Sequence, residues 1–126
     1  MSVRLVSILM AAATLACASG GAGSAVRRDS TVITADEIEA SHETNAYDAV
    51  SRLRPLFLKS RGRTTINSAS SEYATVFVDG QAYGDLTALK GIPAQQIRQI
   101  RYYNGPDAVT KFGMQYGSGV IAVDTR

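Results

Sequence analysis

The chain has 126 residues, 45% of them hydrophobic, and its 13 basic and 11 acidic side chains give a formal net charge of +2. That length suits one ordinary globular domain and excludes a large enzyme, and so small a positive excess does not by itself point to nucleic acid. A single cysteine excludes an internal disulfide framework and any multi-cysteine zinc site.

Met1 to Ala16 carries Arg4 and then an apolar run from Leu5, broken only by Ser7 and Thr14. The run is too short to cross a bilayer, which takes about 20 residues, and has the form of a signal-peptide core. It ends in Thr14-Leu15-Ala16-Cys17, which resembles a bacterial lipobox, where a small residue precedes a cysteine that is lipidated and becomes the mature N-terminus. Thr14 departs from the aliphatic residue usual at its place, and an ordinary secretory peptide cut at a nearby small residue is the other reading. Ala18 to Ala25 is a glycine- and serine-rich tether. The lipobox resemblance, with Ala18 rather than aspartate after the cysteine, implies export to the outer membrane, where more than one acyl chain anchors firmly. The expected layout is a lipoprotein-type signal peptide over 1–16, lipidated Cys17 and a tether over 17–30, and one folded domain over 31–126 facing the periplasm.

Within that domain Thr31-Val32-Ile33 is extended. Thr34 followed by Glu37 forms a capping box, so a helix starts there and carries Ile38 inward. Asn45 caps a second helix, Ala46 to Leu53, whose Ala46, Ala49, Val50 and Leu53 recur at helical spacing; Pro55 ends it. Leu56-Phe57-Leu58 reads as an apolar anchor, and a short strand is placed around Thr64 to Asn67. Tyr73 to Val78 reads as a strand that turns back through Asp79-Gly80. Asp85 caps a single turn closed by Gly91, and Ile97 to Tyr103 is a β-branched and aromatic strand. Asn104-Gly105-Pro106-Asp107 stops that strand and starts a helix. Val120 to Val123 is the last strand, so the final third suggests a β-α-β unit to which the other strands pair. The expected fold class is α+β, one small domain with a mixed β-sheet and short helices. Its expected core is Ile38, Val50, Leu53, Leu56, Phe57, Val76, Val78, Leu86, Leu89, Ile92, Ile97, Ile100, Tyr102, Ala108, Phe112, Val120 and Val123.

Catalytic chemistry finds little support. His42 is the only histidine and stands in the polar stretch Ser41 to Thr44, with no compelling nucleophile in sequence, so it reads as a solvated loop residue. Asp36, Glu37, Glu39 and Glu43 read as a helix N-terminus and a wet face, and Asp79 and Asp107 as turn and cap residues. Gly117-Ser118-Gly119 lacks the strand-before, helix-after setting of a phosphate loop. No cofactor, no metal and no enzymatic activity are expected. Arg52, Arg54, Lys59, Arg61 and Arg63 cluster around the Leu56 anchor. They read as a solvated rim or as a basic patch for anionic lipid headgroups or an acidic partner.

The order of these pieces resembles the plug domain of TonB-dependent outer-membrane receptors. The matching residues are Val32 to Ile38, Ala46 to Val50 with Leu53-Arg54-Pro55, Val76 to Gly80, Leu89, and Ile92-Pro93-Ala94. The match continues through Ile97 to Tyr103, Gly105 to Ala108, Phe112-Gly113 and Gly119 to Arg126. The resemblance implies a small α+β domain of a kind that sits in a β-barrel and responds to substrate and to the energy-transducing partner. The sequence departs from the receptors in ending at Arg126, where a barrel would follow, and in its lipobox-like leader. Thr31 to Ala35 also looks loosely like a TonB box, although the plainer reading is the opening segment of the plug fold. The resemblance thus implies a non-enzymatic outer-membrane lipoprotein acting through protein contacts, with a receptor barrel or the energy-transducing system as partner. The alternative is a periplasmic module for a small ligand of siderophore, cobalamin or glycan type.

Overall fold

The computed structural model describes residues 29–61 and 72–126. Cys17, Arg63 and the strand expected around Thr64 to Asn67 lie outside the described residues. The elements run β1 (Val32–Thr34), α1 (Ala35–Ser41), α2 (Ala46–Leu53), β2 (Thr75–Val78), β3 (Gln81–Gly84), β4 (Ile97–Tyr103), α3 (Gly105–Phe112) and β5 (Val120–Thr125). Short 3₁₀ turns occupy Pro55–Leu58, Leu86–Gly91, Ala94–Gln96 and Met114–Tyr116.

Local chemistry sets the helix starts. The Glu37 amide donates to Thr34 Oγ1 at 3.4 Å while the Thr34 amide donates to Glu37 Oε2 at 3.1 Å, so the capping box closes in both directions. Asn45 Oδ1 accepts from the Asp48 amide at 2.9 Å and Asn104 Oδ1 from the Asp107 amide at 3.0 Å, which starts α2 and α3. At the β2–β3 turn both Asp79 (φ 49°) and Gly80 (φ 85°) are left-handed, as the tightest hairpin turn demands. β2 begins at Thr75 rather than at Tyr73, which stays outside the ladder.

The five strands form one mixed sheet in the order β1-β4-β5-β2-β3. β2 and β5 are parallel, and the other neighbours are antiparallel. The final third is therefore not a parallel β-α-β unit. β4 and β5 lie side by side in opposite directions, with Tyr103 opposite Val120, because α3 and the turn after it fold the chain straight back. The parallel partner of β5 is β2, from the other half of the domain.

Both faces of the sheet are covered. The larger core lies on the face of α1 and α2 and joins Ile33, Ile38, Val50, Phe57, Val76, Leu89, Ile97, Ile100, Tyr102, Ile121 and Val123. A smaller core of Phe77, Ala108 and Val120, with Tyr103, Phe112 and Tyr116 against it, lies beneath α3. Alternation explains the division: along β5, Val120 faces α3 while Ile121 and Val123 face the larger core. Ile97 and Ile100 share a face despite odd spacing because the β4–β5 ladder shifts register between Ile97 and Gln99.

Leu56 departs from the expected core and is 61% exposed. The segment Pro55–Leu58 is a 3₁₀ turn in which successive side chains point about a third of a turn apart, so one of them faces in. That one is Phe57, with Leu58 packed partly against the core. Leu53, Val78, Leu86 and Phe112 are also only partly buried, whereas Ile33, Phe77 and Ile121 are buried without having been expected there.

The outward amides of the β1 edge are satisfied within the domain. Ile33 pairs with Ile100, and the Thr31 carbonyl accepts from the Tyr102 amide at 2.8 Å. The intervening amides face away from β4. The Val32 amide donates to the Asp29 carbonyl at 3.0 Å, and the Thr34 amide to Glu37 Oε2 at 3.1 Å. At the far end of the sheet, Asp79 fastens the last strand: its Oδ1 accepts from the Thr125 amide at 2.9 Å and its Oδ2 from the Thr125 hydroxyl at 2.7 Å. The Arg126 amide donates to the Gln96 carbonyl at 2.8 Å, and its guanidinium pairs with Glu39.

Candidate functional site

The fold separates the basic residues that sequence proximity had grouped. Arg52 Nη1 pairs with Glu43 Oε1 at 3.0 Å, and Arg54 Nη2 with Glu37 Oε1 at 3.3 Å. Both are thus turned toward the α1 side, and Glu37 holds the Thr34 amide and Arg54 at once. Lys59 is exposed, and Arg61 turns the other way. Its guanidinium carbon lies 5.1 Å from the centroid of the Tyr102 ring, which stacks on Phe57 at 4.8 Å and 15°. Burial pushes the Tyr102 phenol above its ordinary range, an effect that the Arg61 guanidinium partly offsets.

Arg61 and the Phe57–Tyr102 stack form one wall of a groove of about 410 Å³. Leu56, Arg101, Asn104 and Asp107 also line it, with Ser30 and Thr31 at its end. Arg101 joins Arg61 from forty positions away because alternation along β4 puts Ile100 and Tyr102 into the core and leaves Arg101 half-buried on the opposite face. Sequence inspection did not single out Arg101. Its period-two placement between two core residues was the available signal. Hydrogen bonds from the Thr31 hydroxyl and amide hold the Asp29 carboxyl below its ordinary range, with a smaller contribution from the charge of Arg101.

A second groove, of about 460 Å³, is lined by Tyr47, Leu58, Tyr73, Leu86 and Lys90, with the Lys90 ammonium 4.9 Å from the Tyr47 ring centroid. A third, of about 280 Å³, lies beside His42, Glu39 and Glu43. His42 is exposed and takes a left-handed conformation (φ 57°) as the residue that ends α1, a structural duty that accounts for its position. Among the described residues, no group of three or more histidine, cysteine, aspartate or glutamate side chains is placed to hold a metal ion. No helix among them is long and apolar enough to cross a membrane. The box-like segment Thr31 to Ala35 supplies β1 and the start of α1, as the plainer reading expects.

A mixed sheet with helices on both faces, a capped entry through β1 and α1, and a closing β4-α3-β5 segment define an α+β domain of the receptor-plug type. The family model described as the TonB-dependent receptor plug domain matches residues 22–120. The chain belongs to that family. No curated protein sequence and no solved structure matches the chain. Family membership associates the chain with TonB-dependent transport and with the outer-membrane envelope, and plug domains belong to transport receptors rather than to enzymes.

Proposed function

We propose that this chain is a lipid-anchored plug domain that works through protein contacts at the outer membrane, without catalysis. Cys17 is its acylated anchor, the stretch that follows is its tether, and the folded domain faces the periplasm. The observation that carries the reading is a plug domain covering most of the chain behind a lipobox-like Thr14-Leu15-Ala16-Cys17. Its partner is a receptor barrel or the energy-transducing system, with Arg52, Arg54, Lys59, Arg61 and Arg63 as the basic residues proposed to contribute to the contact.

Two experiments test the two halves separately. Labelled palmitate is incorporated into the native chain and not into Cys17→Ala; equal labelling removes the anchor. Deleting the gene changes outer-membrane uptake, and crosslinking in intact cells captures a barrel or energy-transducing protein. Unchanged uptake together with no envelope partner overturns the contact role.

A second reading is supported by the tyrosine-lined groove of about 460 Å³. Its Tyr47 ring and its Leu58 and Leu86 side chains suit the apolar face of a small ligand of siderophore, cobalamin or glycan type. Thermal-shift titration with iron chelates, cobalamin and oligosaccharides distinguishes the readings, since a ligand that binds the folded state raises the melting temperature progressively with its concentration.

A further inference from the structure

The groove between the first 3₁₀ turn and the end of β4 combines two features that the plug fold alone does not require. Its two guanidiniums, Arg61 and Arg101, are not within ion-pair distance of any carboxylate among the described residues, whereas Arg52, Arg54, Arg98 and Arg126 all are. Arg61 is held in place by its stack on Tyr102, so a ligand that engages it finds the side chain already ordered. At the groove's rim stands Leu56, 61% exposed, the leucine that the 3₁₀ geometry turns away from the core. Lys59 follows one turn later and is also exposed.

We propose that this groove is a seat for the phosphodiester headgroup of an anionic phospholipid, with Leu56 entering the acyl boundary beside it. Charge complementarity selects the phosphate: a guanidinium presents paired donors that fit its oxygens, and Arg61 and Arg101 both line this groove. Asp107 also lines the groove, so the site is not uniformly basic and suits one headgroup rather than a broad polybasic surface. An exposed leucine beside that seat fits a lipid better than a soluble anion, because inserted apolar area strengthens interfacial binding. The inference rests on the envelope location proposed above and not on acylation of Cys17. Seated in this way, the domain lies against the membrane with the end of β4 facing lipid.

The test uses residues 17–126 carrying Cys17→Ser, which retains the entire sheet and every layer packed on it while removing the acylation site. Co-sedimentation is measured with vesicles of phosphatidylcholine alone and of equimolar phosphatidylcholine and phosphatidylglycerol. Binding to the anionic vesicles and not to the neutral ones is expected, weakening with salt. Each of Arg61→Gln and Arg101→Gln lowers that affinity by about fivefold, the effect of one basic residue near an anionic surface. Leu56→Asp also weakens it, and because that side chain is exposed the variant keeps the native melting temperature. Equal binding to both vesicle types, no binding to either, or retention of full affinity by Leu56→Asp overturns the proposal. Saturable competition by free glycerol 3-phosphate with no dependence on Leu56 reassigns the groove to a soluble phosphate and overturns the membrane seat. An acidic protein captured through Arg61 and Arg101 by a chain that ignores vesicles does the same.

Discussion

Replacing Gly119 by alanine tests how tightly the last strand is pressed against β4. Gly119 has φ 103°, a backbone conformation that a side chain makes costly, and a methyl built on it falls 2.9 Å from the Tyr102 hydroxyl oxygen and 3.0 Å from the Tyr103 carbonyl oxygen. The conformational cost is of order 1–3 kcal/mol. Overpacking adds about 1–3 kcal/mol, because the carbonyl belongs to β4 and cannot swing aside as a flexible side chain can. Both effects act in the same direction, so Gly119→Ala is expected to lose about 2–6 kcal/mol. At about 4–8 °C per kcal/mol for a domain of this size, the melting temperature falls by at least about 8 °C. Tyr102→Phe removes the closest of the three contacting atoms, so in the double variant part of the overpacking is relieved while the backbone cost remains. Chemical denaturation of the four proteins of this cycle measures the coupling. Gly91→Ala is the control: a methyl there meets nothing within 4 Å and its backbone is not left-handed, so stability is expected to hold or to rise slightly. A Gly119→Ala protein as stable as the native one, or a Gly91→Ala protein equally damaged, refutes the reasoning.

Stability should also depend on acid in a defined direction. The Thr125 amide, and after it the Thr125 hydroxyl, hold the Asp79 carboxyl below its ordinary range. A depressed folded-state pKa gives stability that is fully present above the unfolded value, about 3.9, and is lost as pH falls through the lower folded value. Asp79→Asn is therefore expected to be less stable at neutral pH and to show a shallower decline below about pH 4 in denaturant titrations; an unchanged acid slope contradicts this. Phe57→Ala, which removes a buried ring stacked on Tyr102, is expected to cost about 3–5 kcal/mol, while Leu56→Ala beside it stays within about 0.5 kcal/mol. Thr34→Ala breaks the α1 capping box and is expected to cost about 1 kcal/mol by the same measurement, with Ala35–Ser41 amides exchanging faster.

The parts of this fold that were legible in the sequence are those governed by neighbours along the chain. Thr34, Asn45, Asp85 and Asn104 each cap the element they precede, and Asp79-Gly80 makes the hairpin, because capping and tight turns are settled within three or four residues. The sheet order was not legible. The parallel pairing of β2 with β5 joins segments that lie some forty residues apart, and nothing local encodes it. The same limit governs the candidate site. Arg52 and Arg54 sit beside Arg61 in sequence, yet a helical turn, Pro55 and a 3₁₀ turn separate them in space, and salt bridges to α1 and the adjoining loop engage both. Arg101 reaches Arg61 only once β4 is laid in the sheet. Leu56 was misplaced for a related reason: an apolar triplet says that something is buried, and only the 3₁₀ geometry says which of the three.

The satisfied amides of the β1 edge have a consequence for crowding. An open sheet edge is a template, and chains concentrated in one layer beside a membrane would meet each other's edges far more often than in dilute solution. Here the two outward amides of β1 are taken by Asp29 and Glu37, one from the turn before the strand and one from the helix after it. Residues flanking the strand thus withhold its outward donors from copies of itself, and the Glu37 that does so also receives Arg54 from the end of α2. Loss of that one glutamate would expose the Thr34 amide at the edge, uncap a helix and free an arginine in a single step, so any self-association through this edge should appear together with helix fraying rather than separately.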